Sequence, residues 1–386
     1  MCGDPAVPPS REEADPLRVG LVSPYSLTVP GGVQGQVLGL ARALRGQGHD
    51  VLVLGPCDGP PPEVGVLPLG NSIPTAANGS MAPIAPDLSC VFRTIAALGD
   101  EHFDVLHLHE ALAPGPTLTC LAFASVPMVA TFHAAGHSGA YRALAPLARY
   151  MSRRMSVRCA VSEDAKELAA RFLGGDYVVL HNGIEIERFA KATPWPTEGP
   201  TILFLSRHES RKGLAYLLDA LPHLPPDTRV WVASDGPETA HLRSRTAGNA
   251  QVEWLGRIGD DERARRLRGA DVLCAPSLHG ESFGMVLLEG MAAATPVVAS
   301  DIPGYRNVAG CGDAALLVPP GDSVALATAL TRALGDRPTV DSLMAAGEAR
   351  AAEYSMDHLA EKYSALYQEA LARPDVRPAR APRRAV

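Results

Sequence analysis

Short apolar runs, each closed by Gly, Pro or polar residues, alternate along this chain with stretches of helical spacing. Leu17 to Pro24, Asp50 to Leu54, Phe103 to His109, Pro127 to Phe132, Arg158 to Val161 and Tyr177 to Leu180 read as strands. They are nearly continuous in apolar residues rather than alternating, which suits a parallel sheet covered on both faces. Between them, Val33 to Gln47 puts Val37, Leu38, Leu40, Ala41 and Leu44 on one side of a helix. Pro114 to Ala124, residues 138–157 and Glu163 to Phe172 read as further helices. A second series follows, with strands Thr201 to Ser206, Arg229 to Ala233, Val252 to Leu255, Asp271 to Ala275 and Pro296 to Ser300. Its helices are Gly213 to Leu221, Glu238 to Arg245, Asp260 to Arg268 and Gly284 to Ala294.

Two α/β series of similar size predict two Rossmann-like domains facing a cleft. The boundaries follow from the breaks. Residues 1–16 are polar and proline-rich and read as a disordered N-terminus; 17–189 form the first domain. Residues 190–200, with three prolines, read as a linker, and 201–353 form the second domain. Residues 354–372 carry Met356, Leu359, Tyr363, Leu366 and Ala370 at steps of three and four behind a plausible N-cap, Ser355. This helix is placed to pack back on the first domain. Residues 373–386, with five Arg and one Asp, read as a disordered basic tail.

Composition narrows the class without naming it. The 386 residues are 46% hydrophobic and 20% charged, as in a soluble globular protein, and more than one core is expected at this length. A net charge of -7 gives no reason to expect nucleic acid as a partner. Seven scattered cysteines, with no Cys-x-x-Cys pair, read as reduced and structural in a cytoplasmic protein. No secretory signal is visible, and no apolar run approaches the ~20 residues of a spanning helix.

The candidate chemistry sits in four loops after strand C-termini, where open α/β sheets bind ligands. Gly31-Gly32 allows close backbone approach before a helix N-terminus, yet it lacks the dinucleotide spacing G-x-G-x-x-G and reads equally well as a turn. Arg207 closes one strand and Lys212 opens the next helix, so two cations are positioned to clamp a diphosphate and stabilise it as a leaving group. His133 ends a strand, with His107, His109 and Glu110 on the neighbouring one as supporting polar groups. The fourth loop is Gly280 to Glu289, an anion-binding corner that also carries carboxylates. On a helix, Glu281 and Glu289 would lie roughly 12 Å apart, too far to act on one atom but suited to gripping two parts of an extended ligand. A phosphate-linked sugar fits that combination. No Asp-x-Asp pair or ligand set for a metal is evident.

Together these loops resemble the retaining glycosyltransferases of family 4, which have the α/β GT-B fold. The resemblance covers about residues 17–370, and its most specific part is the E-x7-E motif, Glu281 to Glu289, with Arg207 and Lys212 ahead of it. It implies transfer of a sugar from a nucleotide sugar with retention, and neither a metal nor another cofactor. Carried over by position, Arg207 and Lys212 hold the diphosphate and Gly32 contacts it. Glu281 binds sugar hydroxyls, assisted by the N–H groups of Phe283 and Gly284 in a loop that includes Ser282. Glu289 holds the ribose, Ile258 and Asp260 border the base, and His133 sits by the sugar.

A closer resemblance is to the phosphatidylinositol mannosyltransferases of actinobacteria. Pro24 to Gln34, Leu106 to Glu110, Ala130 to His133 and His279 to Gly284 carry it. It implies GDP-mannose as donor and an inositol phospholipid as the hydroxyl acceptor, with Tyr25 and Gln34 near the inositol phosphate. It also implies peripheral contact with the inner face of the cell membrane. The departures lie on the acceptor side. That family's basic amphipathic helix falls near Ala85 to Leu98, where Arg93 is the one cation, and Arg142, Arg149, Arg153 and Arg154 are candidates to substitute. A transferase using a UDP-sugar and a soluble acceptor, such as an inositol phosphate or a secondary metabolite, is the alternative. A non-catalytic nucleotide-sugar sensor is disfavoured by the presence of both Glu281 and Lys212.

Overall fold

The computed structural model describes residues 15–77, 80–134, 145–281 and 283–373. Sequence readings that fall on the two ends, on Arg142 and on Ser282 lie outside these residues.

The N-terminal half contains β1 (Arg18–Val22), β2 (Asp50–Gly55), β3 (Val66–Pro68), β4 (Ile73–Ala77), β5 (Ser80–Ile84), β6 (Val105–His109), β7 (Met128–Phe132), β8 (Val157–Ala160) and β9 (Val178–Val179). Seven of these form one parallel sheet in the order β3-β2-β1-β6-β7-β8-β9, and β4 and β5 form a separate hairpin. The C-terminal half contains β10 (Thr201–Leu205), β11 (Arg229–Ala233), β12 (Val252–Gly256), β13 (Val272–Ala275), β14 (Val297–Ser300) and β15 (Leu316–Val318). They form a parallel sheet ordered β12-β11-β10-β13-β14-β15. In each sheet the strand order reverses beside the first strand, at β1/β6 and at β10/β13. The crevice at such a switch point is where α/β sheets take ligands; three of the candidate loops follow β1, β10 and β13, and His133 follows β7, the neighbour of β6.

Both sheets are buried on their two faces, which is why their strands read as apolar runs. Leu21, Val105 and Val129 pack on one side of the first sheet, and Val22, Leu106 and Leu108 on the other. Each pleat therefore supplies two cores from one strand. The segment between the domains is not a free tether. The Trp195 N–H donates to the Arg265 carbonyl at 2.9 Å, and the Arg266 guanidinium lies 4.2 Å from the Trp195 ring centre and 4.5 Å from that of Trp231.

The helix Met356–Ala372 returns to the first domain. Ser355 caps it by accepting from the His358 N–H at 3.1 Å, and Met356, Leu359, Ala360, Tyr363, Tyr367 and Ala370 join the first domain's core. The same apolar stripe that marks the helix in sequence is the stripe it buries. Its approach to the sheet is also polar: Tyr367 Oη lies 2.8 Å from His107 Nδ1, His107 Nε2 lies 2.7 Å from Thr131 Oγ1, and Thr131 Oγ1 lies 3.0 Å from Tyr363 Oη.

This network predicts an acid-sensitive fold. Burial pushes the His107 imidazole down to about 3, against about 6.5 for an exposed histidine. Between these values the unfolded chain binds more protons than the folded one. The contribution is therefore intact above about pH 6.5 and is lost as pH falls toward 3. Tm should drop across that window, and His107→Gln should make the drop shallower while lowering Tm at neutral pH. Thermal unfolding followed by circular dichroism at stepped pH checks this; parallel curves for the two proteins would refute it.

Candidate active site

The second domain's loops converge on one carboxylate. The loop after β10 tightens into a 3-10 turn, Ser210–Lys212, and Gly213 then adopts φ +72° before the helix Leu214–Ala220. This turn aims Lys212 across the switch point, where its Nζ bonds Glu281 Oε1. Arg211 Nη1 reaches the same oxygen at 3.4 Å, and the Ser277 hydroxyl at 3.1 Å. Ser277 is in turn 2.9 Å from the buried Tyr305 Oη. The side chains of Lys212 and Glu281 retain only 14% and 13% exposure, so a fixed cation and a fixed carboxylate meet in a sheltered corner. Neither Arg211 nor the Ser277–Tyr305 support is apparent from motif spacing.

Arg207 is placed differently. Its side chain is 55% exposed and pairs with Glu209 at 3.0 Å. It lines an open groove of about 680 Å³ with Asp235, Gly236, Thr239, Arg243 and Arg257. Glu209 also takes Arg211 at 2.9 Å, which links Arg207 to the Glu281 corner through one carboxylate.

Glu281 does not belong to the helix that follows. Gly284, at φ +87°, sits at the N-cap, and the helix runs Met285–Ala292. The helical-rise estimate of the Glu281 to Glu289 spacing therefore fails, because the chain turns sharply at Gly284 before helical geometry begins. A Cβ at Gly284 would lie 2.7 Å from the Tyr305 ring, so only glycine lets the loop close onto this support. Glu289 is on the helix proper and is nearly buried. Arg263 Nε donates to its Oε2 at 2.9 Å. Burial pushes the Glu289 carboxyl above its ordinary range, while Arg263 and Arg188 pull it back. Arg263 is a neighbour that motif reading missed; its position on the helix Asp260–Gly269, one turn beyond Asp260, was the available signal. Asp260 pairs with Arg188 at 3.0 Å, and Ile258 packs at the edge of the second domain's core.

Phe283 ties this loop to the junction between the domains. Its ring stacks on His181 at 5.0 Å and meets Tyr354 edge-on at 5.2 Å. His181 follows β9, and Tyr354 precedes the returning helix.

In the first domain, Glu110 is the organiser. It has φ +52°, unusual for a residue with a side chain, and its Oε1 accepts the backbone N–H groups of His133 and Ala134 at 2.5 and 2.6 Å. His133 Nε2 lies 2.9 Å from His109 Nδ1, and burial pushes His133 down to about 4. His133 is therefore a neutral imidazole at neutral pH. Tyr25 is half-buried, and burial together with the Glu110 charge pushes its phenol up. Gln34 is buried and donates from Nε2 to the Ser26 carbonyl at 3.3 Å, which braces the loop before Gly31. Gly32 is exposed, with open space where a Cβ would stand. Among the described residues, no group of three or more His, Cys, Asp or Glu side chains is placed to hold a metal ion.

The described arginines of the 138–157 segment, Arg149, Arg153 and Arg154, are all exposed. The helix Ala145–Ser152 ends before Arg153; Arg149 donates to the Phe172 carbonyl at 2.7 Å, and Arg154 to the Ala122 and Ala124 carbonyls. Backbone acceptors at the C-terminal ends of two helices take the guanidinium groups of Arg149 and Arg154. The helix Leu88–Asp100 exposes an apolar stripe, with Leu88 at 73%, Phe92 at 67% and Ile95 at 37%.

Two parallel α/β sheets, each with candidate loops at the C-terminal ends of its strands, and a sheltered Lys–Glu corner in the second match the architecture of GT-B glycosyltransferases. The profile of Glycosyltransferase Family 4 matches residues 30–188, and that of Glycosyl transferases group 1 matches residues 199–336. The chain is 42% identical over 352 residues to a phosphatidyl-myo-inositol mannosyltransferase of Mycolicibacterium smegmatis, covering 87% of this chain and 89% of that one. It is 39% identical over 365 residues to the enzyme of the same description from Mycobacterium leprae, covering 91% and 96%. The chain belongs to the phosphatidyl-myo-inositol mannosyltransferase family of glycosyltransferases. Its fold is similar to that of sucrose-phosphate synthase from Thermosynechococcus elongatus, with TM-score 0.71, 20% identity, and coverage of 92% of this chain and 99% of that one.

Proposed function

We propose that this enzyme transfers mannose from GDP-mannose to a hydroxyl of phosphatidyl-myo-inositol, with retention at the anomeric carbon and without a metal. The observation that carries the reading is 39% and 42% identity, over 91% and 87% of the chain, to relatives of that description, combined with the Lys212–Glu281 corner. Lys212, Arg211 and Arg207 supply the positive charge that a departing diphosphate needs, and fixed donors in a sheltered site do this without reorganisation. Glu281 takes sugar hydroxyls as an acceptor, and Glu289, held by Arg263, takes the ribose. The acceptor oxygen attacks the anomeric carbon from the face the diphosphate leaves. The C1–O bond to phosphate breaks as the new C1–O bond forms, and the acceptor's proton passes to the leaving phosphate oxygen.

The stripe Leu88, Phe92 and Ile95 supports a membrane acceptor, since a helix with an exposed apolar face lies well at a bilayer surface. No described helix is long and apolar enough to cross a membrane. Docking here relies on apolar insertion more than on basic charge, which accounts for a helix with Arg93 as its one cation in the Ala85 to Leu98 region.

The test is transfer of radiolabelled mannose from GDP-mannose to vesicles containing phosphatidylinositol, run beside UDP-sugars and soluble inositol 1-phosphate. Lipid-borne label is expected. Transfer only to the soluble acceptor, or only from a UDP-sugar, would overturn the reading. Leu88→Ser with Phe92→Ser should cut vesicle co-sedimentation at least tenfold, since burying each side chain contributes on the order of 2 kcal/mol.

A further inference from the structure

The histidines that end β6 and follow β7 share one hydrogen bond. His109 pairs in register with Thr131, so His133, two residues on, presents its side chain on the same face of the sheet. The rings stack with centroids 5.2 Å apart and planes 25° apart, and His109 Nδ1 lies 2.9 Å from His133 Nε2. With both rings neutral, one nitrogen must donate and the other accept.

The far side of His109 decides which. Its Nε2 is buried and has no hydrogen-bond partner among the described residues. Were His133 the donor, His109 would carry its own proton on Nε2, and a buried N–H would be left orphaned. With His109 as donor, Nε2 keeps only an unshared lone pair. An orphaned buried acceptor is less costly than an orphaned N–H. His109 therefore donates, His133 accepts at Nε2, and the proton of His133 resides on Nδ1. The His133 residue as a whole is half-buried rather than sealed in the core. Glu110 fixes the backbone of the same residue through the His133 and Ala134 N–H groups.

We propose that His109 is a positioning residue: by donating from Nδ1 it holds His133 in the Nδ1–H tautomer, a standing N–H donor toward an oxygen of the bound nucleotide sugar. The ring is pre-set rather than chosen on binding, and it presents a donor where acceptor oxygens of the donor substrate lie. This rests on the placement of His133 beside the donor sugar, and the first arm of the test does not.

In the first arm, protein labelled with 15N-histidine is read by long-range 1H–15N correlation at neutral pH, with His133→Gln used for assignment. His133 should show a bare Nε2 and a protonated Nδ1. A protonated Nε2 on His133 in the wild-type protein overturns the tautomer, whatever the enzyme transfers. In the second arm, His109→Phe should lower kcat about 100-fold, the scale for losing one positioned donor. His109→Asn, whose amide N–H overlays Nδ1–H, should stay within about threefold of wild type on the same scale. Equal losses in the two variants, or a full-rate His109→Phe, overturn the positioning role. Should His109→Phe fail to fold, the spectrum and His109→Asn still decide, because a loss in His109→Asn as large as that of His133→Gln contradicts the proposal.

Discussion

Lys212→Ala is expected to lower turnover about 1000-fold while leaving the protein folded. Lys212 closes the 3-10 turn after β10 and bonds Glu281 from the far side of the switch point. Its removal takes away the most sheltered cation available to a departing diphosphate. Arg207 and Arg211 remain, but Arg207 is more than half exposed and paired with Glu209, so water screens it. Stability should suffer little. Glu281 keeps the Ser277 hydroxyl and Arg211, and the corner lies between an exposed ion pair and a buried one, with a cost on the order of 1 kcal/mol. Lys212→Arg should recover part of the rate, since charge matters more here than the shape of its carrier. Rates at saturating donor decide the matter, and a Lys212→Ala enzyme within threefold of wild type would sink the clamp.

Gly213→Ala should be the most damaging single methyl group in the second domain. Gly213 has φ +72°, where any other residue is strained, and a Cβ there would stand 1.9 Å from the Pro276 carbonyl oxygen. The two loops that form the corner, after β10 and after β13, touch at this point. An added methyl must drive them apart, at about 3 kcal/mol or more from overpacking and backbone strain together. It must also draw Lys212 away from Glu281. Urea unfolding should register the stability loss, and donor titration the loss of affinity. Gly32→Ala is the informative contrast, because nothing lies within 4 Å of a Cβ there. Its stability should be unchanged and its donor KM raised, as the methyl blocks close approach of the diphosphate. Wild-type stability in Gly213→Ala would show that the loops have room the geometry denies.

The two series of strands and helices were legible because each element carries its own pattern. The runs at β1, β6, β7, β10, β13 and β14 are apolar on both faces, and the returning helix shows its stripe in Leu359, Tyr363 and Leu366. The small-residue turn at Gly280 to Gly284 was legible as a corner, although the sharp turn at Gly284 removed Glu281 from the helix. Less was legible where the partner is remote. Arg263 on Glu289 is 26 residues away, Glu110 on His133 is 23, and Tyr367 on His107 is 260. Local propensity carries no information about such pairs. The first-domain pairs form because the sheet order brings β6 and β7 side by side and because the chain returns across the domains after Tyr354; Arg263 meets Glu289 because the helices Asp260–Gly269 and Met285–Ala292 pack together.

The helix Leu88–Asp100 shows the division most clearly. Its sequence determines a helix with apolar residues at helical spacing, and nothing more. The fold buries Cys90, Thr94 and Ala97 and leaves Leu88, Phe92 and Ile95 in water. The sequence by itself likewise determined a family-type carboxylate corner with two cations ahead of it, since those residue types and spacings are read directly. Only the tertiary structure decided that Lys212 and Arg211 converge on Glu281 while Arg207 stands apart. It also decided that His133 is held by Glu110 and His109. The reason is physical: which groups meet across a cleft depends on strand order and loop curvature, and both are set by the packing of the whole domain.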